Sequence, residues 1–489
     1  MTKLRTLIDT NVIIALEDDK KLEEEVTTFY REASKNSTLL IHPRIGEDIQ
    51  RDKDAQRLEK TLSKVAKYET LEDPPRPTDE FLRRIGAKRN PHDLVDADLL
   101  YTVHKHCVNF LVTQDAEIHR WAKDLGLSEQ VLRVPQAAAF FQQLSRRYVP
   151  RHSLVQHLPV HNLDISDRFF DSLRRSYGDS KFDDWFRRIS REGRMCWAIV
   201  EGGAVRAICI YKEERDAADS PQIPLPTLKL ATFKVDDALS GMKVAELMLK
   251  LAFQYGVKNH LESVYLTTYP ANESLRYVIE DFGFCQVGTK GEELVYVKNL
   301  SQPANIPTAI PPLTYAILYY PLYLDGPEVR KFIVPIQPSY HDRLFPDCPG
   351  GRQMSLREFS EAIPEGNTIK KAYICKSKIR GIRPGDLLLF YRSHDRRELT
   401  TVGVVERAVR TKEPSEVAAL VSNRTVYTYG EISHLASKGA LAIIFRHHVN
   451  LAKPVPAQQL TEDYHVPGPI QSIREISHET YVKIAGAWK

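Results

Sequence analysis

The sequence predicts a multidomain α/β protein, and three features of its pattern indicate that class. Near the N-terminus, short apolar runs end abruptly in acidic residues and alternate with helical segments, which is typical of buried parallel strands. The middle of the chain combines a hairpin with further strands and helices. The last third shows short strands separated by turn signals, which favours a small β-barrel. Since one core cannot serve 489 residues, we expect about two to four domains.

The composition is that of an ordinary globular protein, with 42% apolar and 27% charged residues. No apolar stretch approaches the ~20 residues of a membrane helix, and the start of the chain does not have the pattern of a signal peptide. The six cysteines are dispersed and form no CxxC pair, which favours reduced thiols. We therefore expect a cytoplasmic protein without a membrane partner. Its oligomeric state is left open.

The first apolar run, Leu4–Ile8, ends in Asp9, which Thr10 and Asn11 follow. This pattern predicts a buried parallel strand that delivers a carboxylate to its C-terminal tip, where ligands gather in open α/β sheets. The same residues also suit a helix N-cap, so Asp9 alone does not decide between the two interpretations.

Three further acids occur in matching places along the N-terminal region. One lies in the first turn of a helix after a second apolar run, one is predicted to open a helix, and one ends a strand: Glu47, Asp96 and Asp115. Four carboxylates at one sheet edge would repel each other unless divalent cations lay between them. Carboxylate oxygens favour Mg²⁺ or Mn²⁺. Helical geometry separates Asp96, whose face carries Leu99 and Leu100, from Asp98, which we expect on the opposite face.

Residues 1–147 resemble a PIN domain, the metal-dependent nuclease fold of the VapC-type toxins. The resemblance is carried by Ile8-Asp9-Thr10-Asn11, Glu47, Asp96-Ala97 and Leu111-Val112-Thr113-Gln114-Asp115. It implies endonucleolytic cleavage of RNA, with Asp9, Glu47, Asp96 and Asp115 as catalytic metal ligands. It also suggests a toxin or stress-response role, restrained by an antitoxin or regulatory protein. Candidates for holding the carboxylates in place are Thr10, Asn11, Asp93 and Thr113, for which local capping is the alternative.

The central segment, residues 155–298, contains a hairpin with a Gly202-Gly203 turn, then strand, helix, strand and helix. This order resembles the GNAT N-acetyltransferase fold, which implies acetyl-CoA as a cofactor. The family's pyrophosphate loop corresponds to residues 240–245, where Ala245 matches and Ser240 and Lys243 depart from the pattern. Candidate acetyl-CoA-binding residues are Gly241, Lys243, Val244, Ala245 and Asn272.

The position at which many GNAT enzymes carry a tyrosine is Ile279, and Tyr277 lies on another helical face. Three roles therefore stay open for the central segment: acetyl transfer, CoA binding without turnover, or a scaffold for the other domains.

A proline-rich segment, residues 299–315, is expected to be an extended linker. Beyond it, residues 316–489 resemble PUA-like domains of the EVE or ASCH type, mainly through the stretch from Gly381 to Tyr391. The prolines in Phe332–Pro338 predict an edge strand. Such domains typically bind RNA or a modified base, which basic and aromatic side chains would contact. The candidates are Lys376, Lys378, Arg380, Arg383, Tyr391 and Arg392.

The sequence thus favours a Mg²⁺- or Mn²⁺-dependent endoribonuclease whose GNAT-like and PUA-like modules regulate it or recognise RNA. The first alternative is an N-acetyltransferase that acts on a nucleic acid, a charged tRNA or a protein, with the PIN-like domain as a recognition module. The second alternative is a catalytically silent RNA-binding or regulatory protein.

Overall fold

The computed structural model describes residues 3–17, 24–49, 65, 67–88, 90–145, 155–236, 239, 243–302, 310–348 and 367–488. Three β-sheets organise these residues, one in each third of the chain. We refer to residues 3–145 as the N-terminal unit, to 155–302 as the central unit and to 310–488 as the C-terminal unit. Among the described residues, no helix combines the length and the apolar character that crossing a membrane requires.

The N-terminal unit is a five-stranded parallel sheet in the order β3-β2-β1-β4-β5, which confirms the predicted parallel sheet. Its strands are β1 (Leu4–Ile8), β2 (Ser37–Ile41), β3 (Glu69–Thr70), β4 (Phe110–Val112) and β5 (Val131–Leu132). Its helices are α1 (Thr10–Glu17), α2 (Glu24–Asn36), α3 (Ile45–Ile49), α4 (Asp79–Ile85), α5 (Pro91–His104), α6 (Ala116–Asp124) and α7 (Val134–Ser145).

Helix α5 begins earlier than the sequence predicts. Asn90 caps it by accepting a hydrogen bond from the Asp93 N–H at 2.9 Å, and Pro91 occupies the first helical position. Asp96 therefore lies in the second turn and does not open the helix.

The central unit is a seven-stranded mixed sheet in the order β11-β12-β10-β9-β8-β7-β6. Its strands are β6 (Val155–Pro159), β7 (Met195–Glu201), β8 (Ala204–Glu214), β9 (Thr227–Val235), β10 (Ser263–Thr268), β11 (Cys285–Lys290) and β12 (Glu293–Asn299). Its helices are α8 (Asp171–Tyr177), α9 (Asp179–Arg191), α10 (Val244–Lys258) and α11 (Glu273–Asp281). One face of the sheet packs on α10 and α11, and α8 and α9 cover part of the other.

The C-terminal unit is a six-stranded sheet in the order β14-β17-β16-β15-β13-β18. Its strands are β13 (Lys331–Ile336), β14 (Lys370–Cys375), β15 (Leu387–Arg392), β16 (Glu398–Thr411), β17 (Ala440–Pro456) and β18 (Arg474–Ile476). Its helices are α12 (Pro312–Leu318), α13 (Pro338–Leu344), α14 (Pro414–Val421), α15 (Tyr429–Ala436), α16 (Ala457–Glu462) and α17 (His478–Ala485). Strands β14 and β18 end the order, so the described residues form an open sheet and the predicted closed barrel is not seen.

Two local predictions in this region are wrong. Residues 312–315, predicted to be extended linker, form the first turn of α12, which Pro312 can begin because a helix needs no N–H at its first position. Strand β13 is interior, between β15 and β18, and not an edge strand. Pro335 is tolerated because the antiparallel pairing with β18 covers only Lys331–Ile333.

Candidate functional site

The central sheet opens between two parallel strands. Strands β9 and β10 pair only where Thr227–Lys229 lie beside Ser263–Tyr265. Strand β9 then continues to Val235 and β10 to Thr268 without pairing to each other, so a gap forms at their carboxyl ends. Unpaired backbone groups at such an edge can bind an extended ligand that carries amides, and carboxyl ends of parallel strands are the usual ligand side.

A β-bulge lies where this gap begins. The pairing of β8 with β9 shifts from Ile210 opposite Thr232 to Tyr211 opposite Leu230, so Ala231 has no opposite residue on β8. A bulge bends its strand and redirects local backbone groups. Because Ala231 is two residues beyond the last pair with β10, the bulge turns β9 away from β10 at this point.

The N-terminus of α10 lies next along the chain. Lys243 precedes it with φ 61°, Val244 is buried and Ala245 is half-buried. Gly241 lies outside the described residues. The Nζ of Lys243 lies 3.4 Å from the Glu129 Oε1 of the N-terminal unit, and burial lowers the pKa of Lys243. A helix N-terminus favours anions, but here the Lys243 ammonium already has a carboxylate partner.

Helix α11 begins at the far side of the gap. The Asn272 Nδ2 donates to Thr268 Oγ1 at 3.1 Å and thereby fixes the start of the helix against the end of β10. Ile279 is fully buried in the core beneath the sheet. Tyr277 instead faces the N-terminal unit, where the Lys123 Nζ lies 3.8 Å from its ring centroid. The position at which many GNAT enzymes carry a tyrosine is therefore occupied by a core side chain.

A carboxylate flanks the gap on the sheet face opposite α10, and the sequence predictions missed it. Glu293 at the start of β12 accepts hydrogen bonds from the Tyr177 hydroxyl at 3.1 Å and from Thr267 Oγ1 at 2.9 Å. The rings of Tyr177 and Tyr269 lie 5.7 Å apart. Burial raises the pKa of Tyr177, and Glu293 raises it further, so the phenol stays neutral and donates. A carboxylate beside aromatic rings can bind an ammonium group and accept its proton.

In the N-terminal unit, Asp9 is buried at the tip of β1. Its Oδ1 accepts from the Thr10 N–H at 2.6 Å, and its Oδ2 accepts from Asn11 Nδ2 at 2.7 Å and Thr113 Oγ1 at 2.6 Å. Thr113 Oγ1 in turn accepts from the Asp115 N–H at 3.0 Å. These contacts place Thr10, Asn11 and Thr113 around Asp9 and bring the start of α6 close to it.

The remaining acids are placed less closely. The Asp115 Oδ1 caps α6 by accepting from two backbone N–H groups at 2.7 and 3.0 Å, and Asp93 accepts from the Lys88 N–H at 2.7 Å. Asp96 is half-buried on α5. Asp98, expected on the helix face opposite Asp96, is buried at 2% exposure and pairs with Arg44.

The predicted metal centre is not assembled by the side chains that the structure describes. Glu47 lies in α3, but its side chain is outside the described set. Over the described part of the chain, no group of three or more His, Cys, Asp or Glu residues could hold a metal ion. The four-carboxylate metal site stays a prediction.

The loop between β14 and β15 carries exposed cations. Four of the six predicted nucleic-acid contacts are exposed there: Lys376, Lys378, Arg380 and Arg383. Tyr391 and Arg392 contradict the prediction, since they are only 5% and 6% exposed. The guanidinium of Arg392 pairs with Asp342 and with Asp395, the latter at 2.7 Å, which holds it inside the unit.

Comparison with known families locates one domain. Residues 162–284 match the model of the Acetyltransferase (GNAT) family. The chain therefore contains a GNAT acetyltransferase domain, which coincides with the described gap and the helices beside it. A search of curated proteins gave no match.

Solved structures resemble parts of the chain. The ASCH protein from Zymomonas mobilis is 12% identical, with a TM-score of 0.26, and the match covers 32% of this chain and 96% of that one. A GNAT family acetyltransferase from Listeria monocytogenes is 20% identical with a TM-score of 0.20, covering 24% and 70%. The PaiA N-acetyltransferase from Thermoplasma acidophilum, in complex with coenzyme A, is 15% identical with a TM-score of 0.21, covering 27% and 79%.

Proposed function

We propose that the chain is an acetyl-CoA-dependent N-acetyltransferase that works in the gap between β9 and β10. The observation that carries the proposal is the separation of these strands, with the Ala231 bulge at its start and the N-terminus of α10 beside it. The family match over residues 162–284 includes all of these elements. The gap fits the amide-bearing arm of CoA, and the helix end fits its diphosphate.

Acetyl-CoA supplies the acetyl group as a thioester. In the proposed reaction, an acceptor amine forms a C–N bond to the acetyl carbon while the C–S bond breaks. The Glu293 carboxylate takes the amine proton, and the departing thiolate takes a proton from water. A backbone N–H at the bulge would polarise the thioester carbonyl. The exposed cations of Lys376–Arg383 favour a nucleic-acid-linked acceptor, such as a charged tRNA.

The test is a matched pair of substitutions at Ala245, in the first turn of α10. Ala245→Glu places a carboxylate where the diphosphate would bind, and a helix N-terminus tolerates an acid, so the fold is preserved. Ala245→Gln has nearly the same shape without the charge. We expect calorimetry to show CoA affinity about tenfold or more weaker for Ala245→Glu than for Ala245→Gln. Equal affinities would place the diphosphate elsewhere, and no binding by the wild type would remove the proposal.

A second assay identifies the acceptor. Labelled acetyl-CoA is offered with charged tRNA, uncharged RNA and peptides, and Glu293→Gln is compared with the wild type. We expect Glu293→Gln to lower kcat more than it changes the KM for acetyl-CoA, and to remove the limb of the pH profile that reports the base. An unchanged profile would assign proton removal to another group.

A second candidate function is metal-dependent RNA cleavage by the N-terminal unit. The favouring observation is the buried Asp9 at a parallel strand tip, held by Asn11 and Thr113 next to Asp115. The test is cleavage of labelled RNA with Mg²⁺, with Mn²⁺ and with EDTA, by the wild type and by Asp9→Asn. Cleavage that EDTA and the substitution both abolish would support this candidate. An intact substrate under all metal conditions would eliminate it for that RNA.

A further inference from the structure

One short segment of the N-terminal unit contacts both helices beside the gap. Residues 123–130, from the end of α6 into the following turn, form this gate segment. At its start, the Lys123 Nζ lies 3.8 Å from the Tyr277 ring centroid and 3.7 Å from Glu280 Oε2 on α11. At its other end, Glu129 reaches Lys243 at the start of α10. The gate segment therefore spans from α11 to the start of α10.

Glu129 brings two cations together at the start of α10. Its Oε1 lies 2.9 Å from the Arg424 Nε of the C-terminal unit and 3.4 Å from the Lys243 Nζ. Burial opposes ionisation of Glu129, but Arg424 and Lys243 outweigh it and lower its pKa to about 2. Its side chain is still 33% exposed. Glu129 is thus a partly exposed anion at the rim of the site.

Arg424 would remain in place if Glu129 left. Its Nη1 lies 3.1 Å from Glu246 Oε2 in the first turn of α10, and both side chains are less than 10% exposed. With Glu129 present, two cations face two carboxylates, and the site is close to neutral. A diphosphate added to this arrangement meets repulsion from Glu129, whereas it finds two unpaired N–H donors once Glu129 has moved away.

We propose that the gate segment is an autoinhibitory cover, in which Glu129 occupies the cationic position at the α10 N-terminus that the diphosphate of an acyl-CoA would take. This inference rests on the proposed function. Docking of the segment and binding of the nucleotide exclude each other, so each weakens the other by the same factor.

The experiment measures CoA binding by calorimetry for the wild type and for Glu129→Gln. The matched control is Glu117→Gln, which removes an acid from the same helix region with no central-unit partner, since Glu117 pairs with Arg120. We expect Glu129→Gln to bind CoA about tenfold more tightly than the wild type and the control. Equal affinities, or a weaker one, would overturn the gate.

Lys123→Met provides a second variant in case Glu129→Gln misfolds. It keeps the apolar stem but removes the contact with Glu280. Loss of a cation by itself weakens anion binding, so tighter CoA binding in this variant can come only from release of the segment. Hydrogen exchange adds a further measurement: we expect exchange of residues 123–130 to speed up when CoA is added to the wild type.

The outcomes separate the two proposals. Slower exchange of residues 123–130 with CoA would mean that the segment completes the site, and would overturn the gate while keeping the acetyltransferase. No CoA binding by folded wild type, Glu129→Gln and Lys123→Met would overturn both. Unchanged exchange together with equal affinities would overturn the gate alone.

Discussion

Gly283 shows how one residue fixes the approach of two units. Its φ is +85°, a region that glycine adopts easily and other residues rarely do. A Cβ at this position would collide with the backbone carbonyl of Ile317 in α12. The same carbonyl accepts a hydrogen bond from the buried Lys298 Nζ at 2.6 Å, so it cannot easily move.

We therefore expect Gly283→Ala to destabilise the protein by more than about 2 kcal/mol, because φ strain and a clash with backbone add together. The measurement is the urea midpoint followed by circular dichroism. Gly291→Ala is the control, since Gly291 has φ +59° and no atom within 4 Å of the added Cβ; it should cost about 1 kcal/mol. Equal losses in the two variants would show that the Ile317 contact contributes nothing.

Lys371 connects burial to pH dependence. It is fully buried on β14, where its Nζ donates to the Leu344 carbonyl at 2.7 Å. Burial, together with Lys250, lowers its pKa to about 7 from the ordinary 10.5. Between these values the unfolded chain binds more protons than the folded one, so this residue makes stability rise with pH.

The expected result is that Lys371→Met flattens the stability profile between pH 7 and pH 10. The wild type should gain up to about 1.4 kcal/mol per pH unit relative to the variant in the steepest part. Urea unfolding at closely spaced pH values measures the difference, in which contributions from other groups cancel. Parallel profiles for the two proteins would show that Lys371 keeps an ordinary pKa in the folded state.

For single residues, the sequence predicted which side chains matter better than it predicted the side chains that they contact. Asn11 and Thr113 lie around Asp9, because both are within a few residues of strand tips that pair in parallel. Arg392 does not fit, because one of its two carboxylate partners, Asp342, is remote in sequence. Glu293 was missed for the same reason, since Tyr177 and Thr267 approach it only through the tertiary fold.

Helix α6 allows capping to be separated from chemistry. Asp115 accepts from the N–H groups of Glu117 and Ile118, which is an N-cap that asparagine also supplies. We expect Asp115→Asn to leave stability within about 0.5 kcal/mol of the wild type and Asp115→Ala to lose about 1 kcal/mol. Thermal and urea unfolding test this pair.

The same pair bears on the second candidate function. If the N-terminal unit cleaves RNA through this carboxylate, Asp115→Asn should be stable but inactive. A stable and fully active Asp115→Asn would confine Asp115 to capping. Loss of stability in Asp115→Asn equal to that in Asp115→Ala would instead show that the negative charge itself stabilises the helix N-terminus.

Elements with a strong local pattern were predicted well. The expected order of strand, helix, strand and helix after the Gly202-Gly203 hairpin is the order of β9, α10, β10 and α11. The interior position of β13 could not be read from Pro335, because its outer neighbour β18 lies about 140 residues later and pairs with only three residues. The strand separation beside the bulge likewise depends on pairing, which local propensity does not encode.

At the scale of the whole molecule, ion pairs join the central and C-terminal units. Lys370 of β14 lies 2.7 Å from Asp281 at the end of α11 and 3.0 Å from Glu406. Lys250 of α10 lies 2.9 Å from Asp347, and both side chains are 2% exposed. Such pairs require correct geometry on both sides, and loss of one member leaves the other as an uncompensated charge. We infer that the central and C-terminal units unfold together.

The four tryptophans allow this inference to be tested. Trp197 reports on the central unit, where it stacks 4.3 Å from Tyr211, and Trp488 reports on the C-terminal unit, beside Tyr481. In variants that keep only one of these two tryptophans, with phenylalanine at the other tryptophan positions, we expect the same urea midpoint from either probe. Asp347→Asn should lower both midpoints equally, with a loss of about 3–5 kcal/mol, because it leaves the Lys250 ammonium buried without a carboxylate.

Asp463→Asn is the matched control, since Asp463 is exposed in the C-terminal unit and should leave both midpoints unchanged. If the two single-tryptophan proteins that retain Asp347 have different urea midpoints, the units unfold independently. The ion pairs would then orient the units without coupling their stability. Coincident midpoints that separate only in Asp347→Asn would assign the coupling to the Lys250–Asp347 pair. In that case α10, which carries the proposed nucleotide site at its N-terminus, would also be the element through which the C-terminal unit stabilises the acetyltransferase domain.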